Sequence, residues 1–217
     1  MNKVWTVLLM CWLGLVHSSF AETQQAPTDK PILYEVKSFL KEQHLLDLER
    51  IYKSKNATQP LRLILRDTYG FGKRQPELLL RFANWVDQNP IEVAAEGICA
   101  GECGLLFFSA RTKILLKSPT HPPSFVILQA QVNEDGEYDD AINAFFKKLI
   151  QKNSDNRIPD LFFEKITQVH DWVGGVLVAN PSDYENSNSF FSKRSPDKAK
   201  PVVLDGYTLE KLGILNE

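Results

Sequence analysis

The strongest constraint on the fold is an alternation of strand-like and helix-like apolar segments from residue 61 onward. In chain order the spacing predicts strand, helix, strand, helix, strand, strand and helix, over residues 61–66, 76–88, 91–95, 98–110, 113–117, 125–132 and 139–152. This alternation predicts an α/β fold, a largely parallel sheet covered by helices. Ligands of such sheets bind outside the carboxyl ends of the strands, which here are the loop 67–72 and the turn 97–103.

The remaining segments complete one predicted α/β domain over residues 32–217. An amphipathic helix is predicted over 39–52, before the core, and helices over 159–169 and 209–214 follow it. Residues 180–201 are rich in Asn, Ser, Lys and Pro, which predicts a mobile loop.

The N-terminus has the pattern of a secretory signal peptide. Lys3 precedes an apolar run from Val4 to Val16, and the small residues Ser19 and Ala21 stand three and one before a cleavage site. The run is shorter than the roughly 20 residues of a membrane-spanning helix, which argues against an uncleaved anchor. We predict cleavage after Ala21, a flexible leader over 22–31, and a soluble protein that is periplasmic or secreted, with no stable membrane span.

Composition excludes several functional classes. The chain has 25 Lys and Arg against 27 Asp and Glu, so it lacks the basic excess of a nucleic-acid binder. A hydrophobic content of 43% argues against disorder, and three cysteines are too few for a disulfide-dense scaffold. Removal of the predicted signal peptide leaves two of these cysteines, Cys99 and Cys103, in an oxidising compartment.

A short motif in the turn after residue 97 resembles a known superfamily. The turn reads Cys99-Ala-Gly-Glu-Cys103, and the chain ends near Tyr207-Thr-Leu-Glu-Lys-Leu-Gly-Ile214. Together with the arrangement of elements over about 60–150, this resembles the Clp protease/crotonase superfamily, in particular exported bacterial members with a Cys-Ala-Ser-x-Cys turn. The resemblance implies a spiral of ββα turns with a largely parallel sheet.

The resemblance also implies a chemistry that these residues do not support. The family uses a serine at the helix start, a histidine on the later strand and backbone N–H groups of a glycine-bearing loop as an oxyanion hole. The serine position is Gly101 here, and the histidine position falls near Leu128-Gln129. We therefore predict a catalytically degenerate protein that acts by binding or assembly. The predicted ligand-binding, oxyanion-like residues are Gly70, Gly101 and Glu102, with the N–H of Gly101 pointing into a cleft.

Two of these assignments keep a simpler alternative. Gly101 would also suit close packing at a crowded turn, without any ligand. Glu102 is interpreted mainly as a solvated or capping carboxylate, because the crotonase branch acts on coenzyme A thioesters, which are not expected outside the cytoplasm.

A Cys99–Cys103 disulfide is favoured by the oxidising compartment and disfavoured by i to i+4 geometry within a regular helix.

Four further residues are candidates for a hydrolase with relocated catalytic groups, which is the alternative function. Cys103 could serve as a thiol nucleophile if unpaired, and Ser109 is more simply a packed helix residue. His121 lies in a loop, and His170 stands beside Asp171 at a predicted helix end. A zinc site of Cys99, Cys103 and His121 fits no common spacing, so we predict neither metal nor cofactor.

A third hypothesis is an unrelated α/β interaction module. In each case the expected partner is a protein or peptide, with a homo-oligomer as an option.

Overall fold

Nine strands and five helices are present in the computed structural model, which describes residues 30–119, 123–169, 174–182, 186–193 and 201–217. The strands are β1 (Ile32–Ser38), β2 (Leu61–Thr68), β3 (Glu92–Cys99), β4 (Thr112–Leu115), β5 (Ser124–Leu128), β6 (Gly175–Asn180), β7 (Ser189–Ser192), β8 (Val202–Val203) and β9 (Ile214–Asn216). The helices are α1 (Glu42–Ser54), α2 (Pro76–Gln88), α3 (Glu102–Ser109), α4 (Asp140–Asn153) and α5 (Asp160–Ile166).

All nine strands belong to one mostly parallel sheet, as the sequence predicts. β1, β2, β3, β4 and β9 pair in parallel, and β5 also runs parallel to β3. β3 is the branch point, since Glu92–Ala95 pair with β4 whereas Ile98 and Cys99 pair with β5. From β5 to β8 the pairing is antiparallel, which the sequence analysis did not predict.

The main core lies on one face of the parallel strands. Leu63, Leu65 and Val93 point into it, together with the apolar faces of the helices. Among the described residues, the opposite face holds a small cluster of Ile64, Ala94 and Ile114. Helix α3 is buried from Cys103 to Ser109, so the core fixes it on all sides and its first residues are held at the end of β3.

The predicted helix over 98–110 is too long at its start. Strand β3 continues to Cys99, and α3 begins only at Glu102. Gly101, at the helix N-cap, has a φ of 62°, a left-handed value that ends the strand and that glycine adopts without strain. The strand predicted over 125–132 is correspondingly shorter and ends at Leu128.

The C-terminal predictions also need correction. The predicted helix over 209–214 is a series of turns followed by β9, which pairs in parallel with β4. Gly213 has a φ of 69°, and the chain turns there so that β9 can pair with β4. The loop predicted over 180–201 contains the buried strand β7, and β1 was missed entirely.

The predicted signal peptide lies outside the described residues, as does the leader except for residues 30 and 31. No helix in the described ranges is long and apolar enough to cross a membrane.

Candidate functional site

The two loops predicted at the carboxyl ends of neighbouring strands meet in the structure. The loop 69–72 follows β2, and Ala100 and Gly101 follow β3. The N–H of Ala100 donates to the carbonyl of Thr68 at 3.0 Å, and a carbon added to Gly101 would lie 3.1 Å from the carbonyl oxygen of Tyr69. We call the place where these two loops and the start of α3 meet the cradle. It consists of Gly70, Phe71, Gly101 and Glu102.

The loop after β2 is fixed by the residues that follow β1. The N–H of Leu40 donates to the carbonyl of Gly70 at 2.6 Å, and the N–H of Tyr69 donates to the carbonyl of Ser38 at 2.8 Å. Gly70 has a φ of 89°, which a residue with a side chain adopts only with strain. The loop is therefore held in one shape, with its N–H groups oriented by the backbone alone.

The carboxylate of Glu102 lies inside the cradle. Its Oε2 lies against the backbone of Gly70, so that a side-chain carbon on Gly70 would overlap it. Burial raises the pKa of Glu102, and the backbone N–H groups of Glu102 itself and of Phe71, together with the positive charge of Arg74, oppose this rise without cancelling it. The carboxylate predicted to be solvated or capping is thus partly buried at the start of α3.

A hydrogen bond joins Gly101 and Gln129. The N–H of Gly101 donates to Oε1 of Gln129 at 2.7 Å, and Nε2 of Gln129 donates to the carbonyl of Gly174 at 2.9 Å. Gln129 is buried, directly after β5. The expectation that the Gly101 N–H points into a ligand cleft is therefore corrected, because its acceptor is a side chain of the same protein.

Cys99 and Cys103 form a disulfide across the turn, with their Cα atoms 5.4 Å apart. The geometric objection to this bridge assumed one continuous helix. It does not apply, because Cys99 ends β3 while Cys103 is in the first turn of α3. The disulfide closes a ring that contains both Gly101 and Glu102, and so restrains the helix end of the cradle.

Two polar side chains that sequence reasoning missed hold the end of β3. Asp67 accepts a hydrogen bond from the N–H of Ile98 at 3.1 Å, and the hydroxyl of Ser124 accepts one from the N–H of Gly97 at 3.0 Å. An aspartate at the end of an apolar strand was the available signal for the first. Ser124 carried no such signal, because only the pairing of β3 with β5 brings it close.

An ion pair connects the cradle to helix α4. Nη2 of Arg74 lies 2.9 Å from Oδ2 of Asp139. Asp139 caps α4 by accepting the N–H of Ile142 at 3.1 Å. The guanidinium of Arg74 thus supplies positive charge near Glu102 while its position is set by the start of α4.

The candidate catalytic side chains are not brought together. The Ser109 hydroxyl is fully buried and donates to the carbonyl of Leu105 at 2.6 Å, as in a packed helix residue. Cys103 has no free thiol, because it is bonded to Cys99. His121 and His170 lie outside the described residues. No group of three His, Cys, Asp or Glu within the described ranges could hold a metal ion.

An open cavity of about 390 Å³ lies beside the same strand ends. It is lined by Lys37, Ser38, Arg66, Asp67, Glu96 and Pro119. Its charged groups are paired within the chain, with Arg66 2.7 Å from Glu96 and Lys37 3.0 Å from Glu35. The cradle residues are not among those that line this cavity.

Comparisons with known proteins give structural matches but no sequence match. No protein-family model and no curated protein matches the sequence. Among solved structures, a mutant of ClpP1 from Listeria monocytogenes is similar, with a TM-score of 0.43 and 13% identity, over 64% of this chain and 78% of that chain. The likeness is partial and concerns the backbone only.

Proposed function

We propose that this chain is an exported, non-catalytic protein with a Clp protease/crotonase-like fold, which acts by binding a protein or peptide or by assembly. The observation behind the proposal is the hydrogen bond between Gly101 and Gln129. By the sequence resemblance, Gly101 stands where the family has its nucleophile, and the position of the general base falls near Leu128-Gln129. A glycine has no atom to attack with, and an amide has no proton affinity suited to a general base.

The internal bonding of the cradle supports the same conclusion. An oxyanion hole needs donors aimed at the reacting oxygen. In the structure the N–H of Gly101 is taken up by the side chain of Gln129. The relocated nucleophiles are also unsuited, because Ser109 is buried in the core and Cys103 is in a disulfide.

A fluorophosphonate probe tests the proposal on the purified mature protein. We expect no covalent labelling of the wild-type chain. Labelling that disappears in Ser109→Ala would overturn the proposal. The test also includes Gly101→Ser, which restores a hydroxyl but no histidine, and for which we expect no measurable peptidase or esterase turnover. Turnover in that variant would reveal a general base and contradict a degenerate site.

Export and assembly are tested separately. We expect secretion to remove residues 1–21, so that N-terminal sequencing of the exported protein begins at Glu22. Sedimentation of that mature protein gives its oligomeric state, and a monomer at all concentrations would leave binding as the mode of action.

A further inference from the structure

Strand β1 forms an edge of the sheet. Among the described strands it pairs with β2 alone, in parallel. The N–H of Ile32 donates to the carbonyl that precedes β2 at 2.9 Å, so the even-numbered residues of β1 direct their main-chain groups toward β2. Leu33, Glu35 and Lys37 direct theirs outward. The carbonyl of Lys37 accepts the N–H of Phe39 at 2.9 Å, and the other outward groups have no partner within the described ranges.

The side chains along this edge carry one charge of each sign. Glu35 and Lys37 are exposed and lie on the face of the sheet that is opposite to the main core. Within the chain, Glu35 contacts Lys37 at 3.0 Å and Arg66 at 3.1 Å, and the Lys37 side chain is still 62% exposed. An unpaired edge of this kind is a template for a further strand, and opposite charges across the pair favour the pairing.

The charges favour one register for a second copy of β1 that lies antiparallel to the first. With Glu35 opposite Glu35 of the second copy, like charges would meet at the centre, which destabilises a strand pair. Sliding the second copy in one direction places Lys37 opposite Pro31, which has no N–H to donate. Sliding it in the other direction, so that the two-fold axis passes at Val36, places Glu35 opposite Lys37 twice. Each of these two pairs then exchanges two main-chain hydrogen bonds.

Exposed apolar side chains lie at the two ends of the same edge. Leu33 is 59% exposed, and Phe39 is 45% exposed directly after Ser38, whose φ of 65° ends the strand. The register about Val36 brings Leu33 of each copy toward Phe39 of the other. Their contact would remove from water apolar surface that the single chain leaves exposed.

We propose that β1 is the interface of a two-fold homodimer, in which the β1 strands of two copies pair antiparallel about Val36 and join the two sheets into one. The proposal rests on the proposed function, because it supplies the assembly that this function names as one of its modes. The partner is a second copy of this chain, since its own edge provides the complementary charges at the matching positions.

Complementary charge reversal, followed by sedimentation of the mature protein, tests the interface. We expect the wild type to dimerise. Glu35→Lys and Lys37→Glu each place like charges in both cross-strand pairs, so the dissociation constant of either variant alone should rise by about tenfold or more. An equal mixture of the two variants restores opposite charges in both pairs, and we expect it to dimerise as the wild type does.

The matched controls are Lys148→Glu and Glu164→Lys, which make the same changes of charge at exposed positions of α4 and α5. Both should dimerise as the wild type does, alone and when mixed. If Glu35→Lys does not fold, the comparison of Lys37→Glu with Lys148→Glu remains the test, because only the first should dissociate the dimer.

Three results would overturn the interface. These are a wild type that stays monomeric at every soluble concentration, single variants that dimerise as the wild type does, and a mixture of the two variants that stays monomeric. In the first case the protein would still act by binding, so the proposed function would stand. Fluorophosphonate labelling of the wild type would instead overturn the proposed function and leave the dimer standing, so the two failures are distinguishable.

Discussion

A charged side chain lies at each end of helix α3, yet the two differ in kind. At the N-terminal end, the carboxylate of Glu102 packs against the backbone of Gly70. At the C-terminal end, Nζ of Lys113 donates to the carbonyl of Ala110 at 2.7 Å and to that of Asn153 at 3.1 Å. Both signs agree with the helix dipole, which favours an anion at the start of a helix and a cation at its end.

The difference lies in what each charge connects. Lys113 is 1% exposed and joins the last turns of α3 and α4, so it holds two helices together inside the core. Glu102 is partly buried and packs against the backbone of Gly70, with the positive charge of Arg74 acting on it. Lys113 thus links two helices by hydrogen bonds, whereas Glu102 lies at one end of its own helix. The predictions below test this distinction.

The largest effect is expected for Lys113→Met, which keeps the volume and removes the ammonium. Two buried carbonyls then lose their donor, at about 1–3 kcal/mol each, and the removal of a desolvated charge offsets part of this. We expect a net loss of about 2–4 kcal/mol in the free energy of unfolding at pH 7 by urea denaturation. A loss as small as that of an exposed lysine, such as Lys53→Met, would contradict the structural role.

The same lysine predicts a pH dependence. Burial lowers the pKa of Lys113 to about 8, below its usual 10.5. The unfolded chain therefore binds more protons between these values, and the stability of the wild type should rise across that interval. Lys113→Met should lack this rise, and parallel pH profiles for the two proteins would contradict the lowered pKa.

Removal of the disulfide comes next in size. Cys99 and Cys103 are four residues apart, and closing so short a loop stabilises by about 2 kcal/mol in the chain-entropy model. We expect Cys99→Ala/Cys103→Ala to lose about that much and to become insensitive to reductant, whereas the wild type loses the same amount only when reduced. The wild type is reduced while unfolded, so that the reductant reaches both sulfurs, and its stability is then measured. A stability unchanged by this treatment would show that the disulfide does not form.

Gln129→Ala is expected to cost about 1–2 kcal/mol, because the N–H of Gly101 loses a buried acceptor. Gln129→Glu is the matched control, since it keeps an acceptor for Gly101 but cannot donate to the carbonyl of Gly174. Thermal unfolding of both variants measures the two bonds separately. Equal stability of Gln129→Ala and the wild type would show that the hydrogen bond to Gly101 does not stabilise the protein.

The smallest effect is expected for Glu102→Gln. Because the pKa of folded Glu102 is raised, its contribution to stability is complete at acid pH and is lost as the pH rises through the folded value. The wild type should therefore lose stability relative to Glu102→Gln as the pH rises above about 4. The opposite slope would mean that the cradle stabilises the anion more than burial disfavours it.

The sequence was informative where local pattern and tertiary structure agree. The α2 bounds are as predicted, because Pro76 suits the first turn and Asn89-Pro90 end the helix. The meeting of the two loops followed from the parallel order of β2 and β3. The start of α3 did not follow, since an apolar run such as Ile98–Cys103 suits a strand as well as a helix, and pairing with β5 decided between them.

Within the site, residue types were predictable and partners were not. Gly101 and Glu102 were singled out from the motif and Gly70 from the glycine-bearing loop, and the structure brings the loop and the turn close together. That Glu102 turns inward, and that Gln129 accepts the Gly101 N–H, depends on how β5 lies beside the turn, some 28 residues away along the chain. Such long-range contacts leave no local signal in the sequence.

Amide hydrogen exchange at Gly101 tests the closed cradle most directly. Its N–H should be protected in the wild type, because it donates a hydrogen bond to the side chain of Gln129. Gln129→Ala should speed exchange at Gly101, whereas Glu102→Ala, which leaves this hydrogen bond in place, should not. Rapid exchange at Gly101 in the wild type would mean that the cradle is open, and would contradict the account.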